Sequence, residues 1–192
     1  MATTAEITTA EQLLQAPDLG PCELVRGELI MVSPAGYAHG SIAGRITRAL
    51  ANFVEAKGLG DVLSAEPGFL IARDPDTVRA PDVAFVRADR IPAGEKARFF
   101  EGAPDLAVEV LSPNDRASEV NAKVQDWLDA GCPMVWVVDP ATRTVSVYRG
   151  RTEIAVLGAT DTLSGGDVLP GFTLPVADIL TRQGTPRDQP TI

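Results

Sequence analysis

Residues 106–112 read LAVEVLS, a nearly continuous apolar run with one carboxylate, Glu109, inside it. A short Leu/Val-rich run of this kind is the pattern of a strand buried on both faces. The flanking sequence supports that reading. Asn114 or Asp115 can cap a helix over 115–130, and Gly131 stops it. MVWVVD then forms a second buried strand, and Asp139-Pro140-Ala141-Thr142 turns the chain into a third, TVSVYRG. Residues 152–157 add an edge. Strands interleaved with helices predict an α/β domain with a mixed sheet.

Further out, residues 61–72 and 81–87 read as strands with DPDTVRA as the turn between them, and residues 88–104 as a connecting loop. Before them, Ile42, Ile46, Ala49, Leu50, Phe53 and Val54 recur at helical spacing and predict a helix over 38–57 with one buried face. CELVRGELIMVS alternates as a hairpin turning at Arg26-Gly27. A short helix over 8–16 precedes it, capped by Thr8 or Thr9, with Glu11 three residues after Thr8. The expected architecture is one domain over 1–180: a mixed central sheet flanked by helices, with an N-terminal helix and hairpin. A loose polar tail is expected over 181–192.

The chain has 192 residues, 17 basic and 26 acidic, for a net charge of −9. That balance disfavours binding nucleic acid through overall charge alone. No apolar run approaches the ~18 residues of a membrane span, and MATTAEITTAEQ lacks the basic and apolar regions of a secretory signal. A soluble cytoplasmic protein is expected. Cys22 and Cys132 are far apart and form no metal or disulfide framework.

Three polar residues stand where packing would not place them. Asp82 opens the apolar strand PDVAFV, Glu109 interrupts LAVEVLS, and Lys123 lies in the helix after it. A carboxylate among Leu106, Val108, Val110 and Leu111 is desolvated unless it faces a cleft, a partner or a cation. Two carboxylates on adjacent strands can hold a hard divalent cation, and a lysine from the neighbouring helix can position water or stabilise charge on a phosphodiester. That set is the logic of a metal-dependent nuclease. LSGGDVLPG lacks the lysine and spacing of a phosphate-binding loop.

The stretches APDVAFV, PDLAVEVLSPND, NAKVQDWLDAGCPMVWVVDP and TRTVSVYR resemble the Uma-type family of restriction endonucleases, within the PD-(D/E)XK nuclease superfamily. ELVRGELIMVSPAGYAHGSIAGRI resembles its N-terminal part, so the likeness spans roughly residues 22 to 180. It implies a restriction-endonuclease-like core and a Mg²⁺- or Mn²⁺-dependent endonuclease that hydrolyses DNA. Asp82 matches the metal-binding aspartate and Glu109 the acid of the second motif, with the Val110 backbone carbonyl as a further metal ligand. Where many members carry lysine two residues on, this chain has Leu111; Lys123 takes that role from the helix. Glu28 and His39 match an acid after the hairpin glycine and a histidine early in the first long helix, as secondary site candidates. Trp127 matches an aromatic position, and its spacing from Lys123 puts both on one helix face. The resemblance also implies a homodimer. Other readings are a catalytically inactive nuclease fold used for nucleic-acid or protein binding, and a small-molecule hydrolase built on the same carboxylates.

Charge is unevenly distributed. Residues 36 to 60 carry a net +2 and residues 104 to 130 a net −4. The first long helix, through Arg45 and Arg48, is therefore the expected DNA-facing element.

Overall fold

The structure is a computed structural model that describes residues 7–16, 19–94 and 98–181. The expected tail, apart from Thr181, lies outside the described residues. The chain runs through α1 (Ala10–Gln15), β1 (Cys22–Val25), β2 (Glu28–Met31), α2 (Tyr37–Lys57), β3 (Gly60–Ser64), β4 (Phe69–Ala72), β5 (Thr77–Arg79) and β6 (Val83–Arg87). It continues through β7 (Phe100–Glu101), β8 (Leu106–Val110), α3 (Ala117–Asp129), β9 (Val135–Asp139), β10 (Thr144–Tyr148) and β11 (Ile154–Leu157), then β12 (Thr162–Ser164), β13 (Thr173–Pro175) and α4 (Val176–Leu180).

A six-stranded sheet in the order β11-β10-β9-β8-β6-β3 carries the core. Its β8 and β9 are parallel and joined by α3, as parallel neighbours require a crossover; the other pairs are antiparallel. The period-2 alternation of β8 sorts its side chains. Leu106, Val108 and Val110 pack with Ile42, Ile46, Leu50 and Val54 of α2. Ala107 packs on the opposite face with Val124 and Trp127 of α3. Glu109 has the parity of Ala107 and so faces α3.

The mixed central sheet flanked by helices, with an N-terminal helix and hairpin, is as expected; the hairpin belongs to a second sheet, β2-β1-β5-β4-β7, and the strand boundaries around it need correction. The single strand expected over 61–72 is interrupted after Ser64. There Ala65 and Glu66 take left-handed φ values of 64° and 57°, and Pro67-Gly68 follows. The expected turn DPDTVRA contains β5, which pairs with both β1 and β4. Residues 88–104, expected as loop, contribute β7. The hairpin turn is where expected: Arg26 and Gly27 both have positive φ, the geometry that matches strand twist. Thr9 caps α1 in a capping box with Gln12 rather than Glu11. The N-cap position of α3 is Arg116, without a side-chain cap; Asp115 instead accepts from the Ser112 N–H at 2.8 Å.

Candidate active site

Glu109 is buried, and each of its oxygens has a partner from α3. Trp127 Nε1 donates to Oε1 at 2.8 Å, and Lys123 Nζ lies 2.8 Å from Oε2. The four-residue spacing of Lys123 and Trp127 stacks them on one helix face, which makes the double contact possible. Trp127 is also fully buried core, edge-on to Phe69 at 5.9 Å. Burial pushes the Glu109 carboxyl up to about 7; Lys123 opposes the rise and Asp82 adds to it. Burial works against the Lys123 charge, but Glu109 and Glu23 outweigh it and hold the ammonium above its ordinary value.

Asp82 sits just before β6, where the β6–β8 ladder ends. Its Oδ2 accepts the Val110 N–H at 2.6 Å, so Val110 joins the site through its amide. The same oxygen lies 3.1 Å from His39 Nε2, at the start of α2. The Asp82 hydrogen bond raises the His39 pKa above its ordinary 6.5 despite partial burial. Thus α2, the residue leading into β6, β8 and α3 all bring side chains to one sheet end.

Glu23 was not anticipated. Its neighbour Leu24 packs into the α1 cluster, so alternation turns Glu23 the other way, where it is buried. Its Oε1 lies 3.1 Å from Lys123 Nζ and accepts the Ala80 N–H at 2.9 Å; its Oε2 accepts from Arg79 Nη1 at 2.7 Å. Arg79 also reaches Asp126 of α3 at 2.5 Å through Nη2. Lys123 donates further to the Ala80 carbonyl at 3.0 Å. Burial disfavours the Glu23 charge, but Lys123 and then Arg79 reverse this and lower its pKa.

Two expected site residues are not brought together with these. Glu28 is exposed in β2, pairs with Val25 across the hairpin and makes no ion pair among the described residues; the buried hairpin acid is Glu23. Arg45 is half-buried and committed elsewhere. Its guanidinium donates to the Ile179 carbonyl at 2.5 Å and to Ser41 Oγ at 2.9 Å, tying α4 to α2. Arg48 is exposed and lines a cleft of about 450 Å³ with His39, Gly40, Gly44, Thr47 and Asp82.

Among the described residues, no group of three or more His, Cys, Asp or Glu side chains is arranged to hold a metal ion. Mg²⁺, however, commonly binds one or two carboxylates and completes its shell with water and substrate phosphate. Asp82 and Glu109 fit that requirement in donor chemistry. Both are hard oxygen donors, and the mutual repulsion that helps raise Glu109 is what a divalent cation relieves.

Trp127→Phe removes the donor to Glu109 Oε1 and trims the fully buried indole to a phenyl ring. The expected cost is about 1–3 kcal/mol for the unmade buried bond plus a further loss for the cavity left behind, read as a lower urea midpoint with an unchanged m-value.

A family model described as "Putative restriction endonuclease" matches residues 10–177. A solved structure of a "putative nuclease belonging to DUF820" from Anabaena variabilis superposes with a TM-score of 0.78 at 23% identity, covering 90% of this chain and 97% of that one. It shows the same fold. No curated protein matches. No helix among the described residues is long and apolar enough to cross a membrane.

Proposed function

From the premise that the chain belongs to the Uma2 family of restriction-endonuclease-like proteins, we propose that it is a Mg²⁺- or Mn²⁺-dependent nuclease that hydrolyses DNA phosphodiester bonds. The observation that carries the reading is the buried Glu109–Lys123 pair beside Asp82 at one sheet end. Asp82, Glu109 and the Val110 carbonyl would hold the cation, which supplies Lewis acidity at a phosphate oxygen and a more acidic bound water. The protein's own groups do the positioning. The Val110 N–H and His39 fix the Asp82 carboxylate, and Trp127 fixes that of Glu109. Lys123 holds its charge throughout the neutral range, because Glu109 and Glu23 raise its pKa. It orients the attacking water and offsets charge that develops on the phosphoryl oxygens.

Supercoiled plasmid and single-stranded DNA, each incubated with Mn²⁺ or Mg²⁺, test this. Cleavage of either that vanishes with EDTA is expected; both substrates intact under every condition overturns the reading. The second reading, an inactive nuclease fold, is favoured by one observation: Lys123 is fully engaged by Glu109, Glu23 and Ala80. Calorimetric Mn²⁺ titration discriminates, because an inactive fold shows no carboxylate-dependent heat.

Arg45 and Arg48 separate scaffold from substrate contact. Arg48→Ala is expected to weaken DNA binding and to reduce the slope of log affinity against log salt by about 1, as for one lost phosphate contact. Arg45→Ala is expected to lower stability by about 1.5–3 kcal/mol, because its charge-assisted bonds to Ile179 and Ser41 are lost, and to leave the affinity of the folded protein unchanged. Fluorescence anisotropy across a salt series, paired with urea denaturation, reads both.

A further inference from the structure

The crevice at Asp82 has two arms. One is the cleft over α2 that holds His39 and Arg48. The other, of about 390 Å³, is walled by Leu14, Leu19, Val32, Val78 and Phe99 and reaches Asp82, Glu23 and Lys123. Ala65, Glu66 and Asp82 line both arms and form the partition between them. The partition is built from two consecutive non-glycine residues in the left-handed region, a conformation that concentrates at functional sites.

The second arm has the volume of a small-molecule site, for which roughly 300–1,000 Å³ is usual. Its chemistry selects against phosphate. Among the described residues, the charged side chains lining it are Glu23, Glu66, Asp82 and Lys123, and the ammonium is already shared by Glu109, Glu23 and the Ala80 carbonyl. A neutral planar group bordered by apolar side chains fits better. Phe99 supplies an aromatic wall whose place depends on Gly68: a Cβ there would lie 2.3 Å from the ring. Leu14 and Val32, 45% and 40% exposed, present apolar surface to this arm that the core does not use.

We propose that this arm receives an unpaired nucleobase of the DNA strand whose phosphate lies at Asp82, making single-stranded or locally unpaired DNA the preferred substrate. The inference rests on the nuclease reading above and specifies its substrate. Drawing a base from an intact duplex costs unpairing and unstacking, whereas a single strand offers it at little cost. Phe99 then stacks on the base, a contact tolerant of sequence because every base has a π-face.

The test uses oligonucleotides of one sequence, single-stranded or fully paired, with 2-aminopurine at successive positions. Binding is followed in Ca²⁺ by anisotropy and 2-aminopurine emission, and cleavage separately in Mn²⁺. The wild type is expected to bind the single strand at least about tenfold more tightly than the duplex, with emission changed at one position. Phe99→Ala and Val32→Trp are each expected to weaken single-strand binding about tenfold. Val32 is partly exposed, so its replacement leaves the core intact, which an unchanged urea midpoint checks. Equal affinity for the two forms, or a Val32→Trp protein that binds like the wild type, overturns the proposal. If cleavage persists in that case, the nuclease reading survives alone. If cavity-dependent binding occurs without cleavage, the pocket survives and the nuclease reading falls.

Discussion

Glu109→Ala is expected to lower cation-dependent DNA cleavage by at least about a hundredfold, the scale on which removal of one preorganised charge-stabilising group reduces turnover. The carboxylate is buried, is held by Trp127 and Lys123, and lies in β8, an inner strand of the six-stranded sheet. Glu109→Gln keeps the shape and an acceptor for Trp127 while removing the charge, so it is expected to lose activity and remain folded. Cleavage by either variant at the wild-type rate would remove Glu109 from the mechanism. The same residue sets a pH dependence of stability. Its carboxyl titrates at about 7 in the folded protein against an ordinary 4.5, so the folded state binds more protons than the unfolded state between those values. Stability therefore falls as pH rises through that window. The His39–Asp82 pair acts in the same direction: its contribution is complete below pH 6.5 and is lost as pH rises through the raised folded pKa. Urea midpoints from pH 4.5 to 8 are expected to show a shallower decline in Glu109→Gln than in the wild type. Identical slopes would contradict the Glu109 assignment.

Glu23→Leu is expected to destabilise the protein by about 3–5 kcal/mol, the scale for removing one partner from a buried ion pair. Arg79 retains Asp126 and Lys123 retains Glu109, but both lose a buried counter-charge, and the Ala80 N–H loses its acceptor. Through Arg79, Glu23 also couples the five-stranded sheet to α3, so the substitution strikes the junction between two layers. Denaturation followed by tryptophan fluorescence reads it directly, because Trp127 and Trp136 are both buried. A loss below about 1 kcal/mol would mean that the cluster contributes little to holding the two layers together.

Much of the six-stranded sheet was legible because its signals are local. The unbroken run of β8 marked a central strand, and the parity of Glu109 followed from a period of two. The spacing of Lys123 and Trp127 set them on one face, and Ile42, Ile46, Leu50 and Val54 marked the buried side of α2. The second sheet was not legible. It depends on β5, three residues inside a stretch rich in turn formers, pairing with strands far along the chain. Glu23 was missed for the same reason. In a hairpin taken alone, its face reads as solvent; it becomes buried only when Arg79 and α3 cover it. Glu28 matched a family position but lies on the exposed side. Arg45 had the right charge on the right helix, yet its contact with α4 depends on residues 134 positions away, and nothing in the 36–60 stretch signals that partner.

Asp82 and Glu109 are proposed to form one cation-dependent catalytic centre. A crystal of the protein soaked in Mn²⁺ and measured at the manganese absorption edge tests it most directly. An anomalous peak coordinated by oxygens of both Asp82 and Glu109, absent from a Glu109→Gln crystal soaked in the same way, is the predicted result. No peak at that position, or a peak unchanged by the substitution, would contradict the account.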